Sequence, residues 1–99
     1  MAKVKIQERV SQNSADYVYE TFISALTEVG FEIWKKRPIA WLCISKQNIE
    51  GNQIEANLTV HQTSPISYTL IMTSSTLSEA ELINLAEKVI NSLNNKLST

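Results

Sequence analysis

One cysteine, one histidine, two glycines and two prolines are all that this chain of 99 residues holds of those types, and each shortage removes a class of chemistry. A lone Cys43 forms no internal disulfide, and the opening segment MAKVKIQERV lacks the apolar run of a signal peptide, so a reducing, cytoplasmic setting is expected. Gly30 and Gly51 both fall where turns are expected. No glycine-rich loop is left to cradle a phosphate, which disfavours nucleotide-dependent catalysis. His61 stands alone and no Cys-x-x-Cys or His-x-x-x-His spacing occurs, so neither a metal site nor a cofactor is expected. The longest apolar run, Ile39 to Ile44, is far short of the roughly 20 residues that a membrane-spanning helix needs.

An excess of charge of one sign is missing too. Nine Lys and Arg against ten Asp and Glu leave a formal charge of -1, too little field to hold a polyanion or an acidic membrane. Neither a membrane nor a nucleic acid is the expected partner. The cations are nevertheless uneven in the chain: Lys3, Lys5, Arg9, Lys35, Lys36, Arg37 and Lys46 precede residue 47, and only Lys88 and Lys96 follow it.

What is present reads as one globular domain over residues 1–99. The hydrophobic fraction of 43% and charged fraction of 19% suit a packed core, and the length suits a single one. Residues 3–10 alternate, with Val4, Ile6 and Val10 on one face and Lys3, Lys5, Gln7 and Arg9 on the other, as in a half-buried strand. Glu8 is the misfit on the apolar face. A carboxyl buried there would have its pKa raised by desolvation; the alternative is that the misfit marks a strand end or a bulge.

Ser11-Gln12-Asn13-Ser14 supplies capping side chains, and a helix begins near Ser14, with Val18, Phe22, Ala25, Leu26 and Val29 as its apolar stripe. Gly30 suits a left-handed stop, with Phe31 folding back on Leu26. From Phe31 to Thr73, four strand-like runs are separated by Arg37-Pro38, Glu50-Gly51-Asn52 and Thr63-Ser64-Pro65, the spacing of an antiparallel meander. Ser78-Glu79-Ala80-Glu81 is a capping box, and Leu82, Leu85, Ala86, Val89, Ile90, Leu93 and Leu97 form the stripe of a last helix. Residues 95–99 are expected to fray. The order β-α-β-β-β-β-α defines a two-layer α+β fold, a mainly antiparallel sheet with two helices packed on one face.

The run from Ile39 to Ile44 is apolar on both sides. An even-numbered turn at Arg37-Pro38 carries Phe31 and Ile33 on to Ala40, Leu42 and Ile44, and leaves Trp34, Trp41 and Cys43 outside. Pairing through Gly51-Asn52 puts Trp41 and Cys43 inside instead, and a bulge at Lys46 to Asn48 would reconcile the two. The first reading keeps Phe31 and Ile33 in the core, so it defines the expected contact surface: Trp34, Trp41, Cys43 and Ile71 on the open sheet face. That surface points to a non-catalytic interaction domain that pairs as a homodimer or holds a protein partner.

Two rival uses compete with it. A pocket between the sheet and the last helix, lined by Phe22, Tyr68, Leu70, Met72 and Leu85, would take a small apolar ligand, although the same side chains make an ordinary core. The loop around Lys35, Lys36 and Arg37, set between Trp34 and Trp41, would serve as an anion or single-stranded nucleic-acid contact, although a solvated hairpin tip looks the same. Cys43 and His61 could meet across strands as nucleophile and base, but Cys43 has no basic sequence neighbour to activate it and reads as an inert core thiol.

Overall fold

The computed structural model describes residues 2–12 and 14–98 of the chain. The elements run in the order β1 (Ala2–Arg9), α1 (Ala15–Val29), β2 (Glu32–Arg37), β3 (Leu42–Ile49), β4 (Asn52–His61), β5 (Ser67–Ser74) and α2 (Glu79–Leu97). The five strands form one antiparallel sheet ordered β1-β5-β4-β3-β2, and both helices lie on one of its faces. Helix α1 carries the chain from one sheet edge to the other, and the meander walks back until β5 pairs with β1. The fold is the two-layer α+β arrangement that the residue pattern describes.

The helix ends follow their local chemistry. The Ser14 hydroxyl accepts the Tyr17 N–H at 3.2 Å to open α1, while Asn13, another of the expected capping residues, lies outside the described residues. Gly30 closes α1 at φ +111°, and the Phe31 N–H reaches back to the Leu26 carbonyl at 2.9 Å. At the start of α2 the Glu81 N–H donates to the Ser78 hydroxyl at 3.2 Å, and the Ser78 N–H donates to Glu81 Oε1 at 3.0 Å. Those hydrogen bonds hold the Glu81 carboxyl below the usual carboxylate pKa. Asn95, Lys96 and Leu97 form the last turn of α2, and Thr99 lies outside the described residues.

Directly paired residues in an antiparallel sheet share a face, so the register sorts every strand residue. Two rows cross the sheet on the helix side: Val4–Met72–Ala56–Ser45–Ile33 and Ile6–Leu70–Leu58–Cys43–Lys36. Leu58, Leu70, Met72 and Cys43 join Phe22 and Leu26 of α1 and Leu82, Val89 and Leu93 of α2 in one buried cluster. The Phe22 and Tyr68 rings meet edge to face with centroids 4.9 Å apart. Across the helix layer, Lys96 Nζ lies 2.7 Å from Glu28 Oε2, and the Ser92 hydroxyl donates to the same oxygen at 3.1 Å.

Two local expectations need correction. The strand expected from Ile39 begins at Leu42, because Pro38–Ala40 form a 3-10 turn and Trp41 turns the chain at φ +48°. Proline has a fixed φ and no N–H to leave unpaired, which suits the first position of such a turn. Ile39 is left 96% exposed at its tip.

The second correction concerns sheet parity. Four residues separate the paired Arg37 and Leu42, so the turn is even-numbered, as expected. The register nevertheless slips between Ile33 and Lys35, where Trp34 is the extra residue of a β-bulge. That one residue reverses the faces: Ile33 pairs with Ser45 inside, while Lys35 pairs with Ile44 outside. Leu42 and Ile44 therefore face away from the helices and Cys43 faces inward. The bulge lies in β2 rather than at Lys46 to Asn48.

Candidate functional site

No element among the described residues covers the sheet face opposite the helices, and the residues on that face follow from the register. Three rows cross all five strands: Glu32–Lys46–Glu55–Thr73–Lys3, then Lys35–Ile44–Asn57–Ile71–Lys5, then Arg37–Leu42–Thr59–Thr69–Gln7. A short fourth row joins His61, Ser67 and Arg9. Cations stand at both edges, on β1 and β2. Half-buried Leu42, Ile44 and Ile71 stand between them with threonines and Asn57. The side-chain oxygen Oδ1 of Asn57 is closed off from solvent and has no hydrogen-bond partner among the described residues.

Of the four residues expected on the contact surface, the structure keeps two there. Ile71 lies in the middle row, and Trp34 is 63% exposed at the bulge, with Lys46 Nζ 4.2 Å from its ring centroid. Cys43 is a correction: it is fully buried against Leu58 on the helix side, because the bulge reverses the parity on which its outward placement depended. Trp41 is another. It precedes β3, packs partly buried against the core, and its indole N–H donates to Asp16 Oδ1 at 2.7 Å, tying the turn to the start of α1.

Strand alternation divides the basic trio. Lys35 and Arg37 face outward, whereas Lys36 shares the inner row with Cys43 and lies 3.5 Å from Glu20 of α1. The three therefore do not form one contact. Cys43 and His61 fall on opposite faces of the sheet, so they cannot act as nucleophile and base. Burial pushes the Cys43 thiol up to about 11 against the opposing pull of Lys36, the reverse of an activated thiol. His61 Nε2 lies 2.9 Å from the Thr69 hydroxyl, its neighbour on the outer face.

Glu8 sits on the inner side of β1 opposite Tyr68, near the strand end and exposed, so the misfit marks a strand end. Among the described residues, no group of three His, Cys, Asp or Glu side chains comes together as a metal site would require.

The five residues suggested as a pocket lining, Phe22, Tyr68, Leu70, Met72 and Leu85, are all buried members of the core cluster. Phe22 and Tyr68 are in ring contact. Burial pushes the Tyr68 hydroxyl up to about 12 and raises that of Tyr19, which donates to the Leu42 carbonyl at 2.6 Å. A surface hollow of about 420 Å³ lies elsewhere, between Val10–Gln12 and Thr63–Ile66.

What sequence reasoning missed is the distribution of charge between layers. The outward rows hold Lys3, Lys5, Arg9, Lys35, Arg37 and Lys46 against Glu32 and Glu55, a net of +4. The helices hold Asp16, Glu20, Glu28, Glu79, Glu81 and Glu87 against Lys88 and Lys96, a net of -4. Only Glu8, Lys36 and Glu50 belong to neither set, which recovers the total of -1. The alternation in β1 already put Lys3, Lys5 and Arg9 on one side. Joining them to Lys35, Arg37 and Lys46 required both the strand order and the bulge. Compared with models of known protein families and with curated proteins, the chain matches none.

Proposed function

We propose that this chain is a binding domain rather than an enzyme, and that it docks a negatively charged partner surface on the open face of its sheet. The observation that carries this reading is the separation of charge between two layers of a molecule that is nearly neutral overall. A cationic face with Leu42, Ile44 and Ile71 between its charged edges offers apolar contact area together with electrostatic orientation. The face is suited to an anionic surface that also brings apolar side chains.

The same charge bears on the expected homodimer. A two-fold pairing of sheet on sheet would set a net +4 against +4, and like charges brought together across an interface cost affinity. The surface therefore needs another occupant. No helix among the described residues is long and apolar enough to cross a membrane. The single buried thiol suits a reducing compartment, and a cytoplasmic protein is the reading we adopt.

Retention on immobilised heparin at low salt tests the face. Wild type should be retained, and Lys5→Glu with Lys35→Glu should abolish retention. Lys88→Glu, on the helix layer, should leave it nearly unchanged. Equal loss from the Lys88 variant would show that retention does not depend on the sheet face and would refute the reading.

A further inference from the structure

We infer that the surface which covers the open sheet face is the helix layer of a second copy of this chain. This rests on the docking reading above and names its partner. Both complementary surfaces are present on one molecule: a sheet face of net +4 and a helix layer of net -4. Of the three ways to stack two copies, sheet on sheet and helix on helix each oppose like charge. Only sheet on helix brings opposite charge together.

Apolar contacts fit the same arrangement. The helix layer exposes Tyr17 and Ile83 at 44% and 38%, and the sheet face presents half-buried Leu42, Ile44 and Ile71. The available area sets the strength. Five strands about 4.8 Å apart and about eight residues long give a face on the order of 600 Å². Two such surfaces reach only the low end of a stable interface, so the association is weak, concentration-dependent and sensitive to salt. Because each copy uses two different surfaces, the contact is heterologous: it extends beyond a dimer or closes into a ring.

This geometry has a distinctive test. Lys5→Glu with Lys35→Glu brings the sheet face to net zero, and Glu79→Lys with Glu87→Lys does the same for the helix layer. None of the four residues lies in the buried cluster, and circular dichroism checks that both variants fold. In sedimentation velocity at about 20 mM salt, wild type should exceed the 11.1 kDa monomer increasingly with concentration. Its dissociation constant should rise about tenfold or more by about 300 mM salt. Each variant alone should remain monomeric. An equimolar mixture should form a dimer and nothing larger, since one intact sheet face then meets one intact helix layer.

A wild type that is monomeric at every concentration overturns the inference. So do variants that still pair by themselves, or a mixture that stays monomeric while wild type associates. If self-association is absent but heparin retention still depends on Lys5 and Lys35, the docking face stands and the second copy is excluded as its occupant.

Discussion

Cys43 lies fully buried between Leu58 and the helices, and burial raises its thiol from 9.0 to about 11. Two consequences follow. At pH 8 a thiol-specific disulfide reagent should label the native protein at least about a hundredfold more slowly than the denatured protein. Comparable rates would place Cys43 at the surface. The second consequence concerns alkaline stability. Well below pH 9 the thiol is protonated in both states; as the pH passes through 9 toward about 11 the unfolded chain loses the proton while the native state keeps it. The native state then binds more protons, so stability falls as pH rises through that window. Tyr68, raised from 10.0 to about 12, and Tyr19, shifted the same way, continue the decline at higher pH. The Tm should drop steadily above pH 9, and Cys43→Ala, although less stable, should show a flatter profile between pH 9 and 10. The hydroxyl of Tyr19 adds a local constraint through the Leu42 carbonyl. Tyr19→Phe should cost about 1 kcal/mol in denaturant unfolding, the worth of one hydrogen bond.

At the scale of elements, β2 is where the sequence pattern and the structure part. Helix limits were legible because caps are local: Ser14, Gly30 and the Ser78–Glu81 box act within a few residues of themselves. The meander was legible from alternation and turn residues, among them Glu50-Gly51, whose positive φ angles of 51° and 85° suit a two-residue hairpin loop. The bulge at Trp34 was not. It is set by pairing with β3, and no residue in β2 announces it. The candidate surface inherits that gap: without the bulge, alternation puts Cys43 outward and Leu42 and Ile44 inward, the reverse of the pairing observed. The bulge makes a sharp prediction. Deleting Trp34 brings Ile33 and Lys35 into regular pairing with Ser45 and Ile44. That protein should remain folded, losing no more than about 2 kcal/mol. Deleting Asn57 from central β4 would reverse the faces of every later residue in the strand and should cost more than about 4 kcal/mol, leaving no cooperative transition. Ser78→Ala should remove about 1 kcal/mol through the lost cap of α2.

For the molecule as a whole, the composition conceals its main electrostatic property. Behind a formal charge of -1 stand a sheet face and a helix layer of opposite sign that cancel, and neither pI nor residue totals report that separation. A charged face of this kind orients partners and speeds their encounter more than it adds affinity, and salt weakens it over a Debye length of about 10 Å at 0.1 M. The most direct test of the docking face is a nitrogen-15 amide shift titration, with a short polyglutamate peptide at low salt, of the Glu79→Lys and Glu87→Lys variant, which keeps the sheet face intact and has no helix layer of opposite charge to pair with it. A docking sheet face requires that shifts concentrate along the outward rows, at Lys5, Lys35, Ile44, Asn57 and Ile71, while α1 and α2 stay still. Shifts confined to the helices, or scattered evenly over both layers, would contradict it.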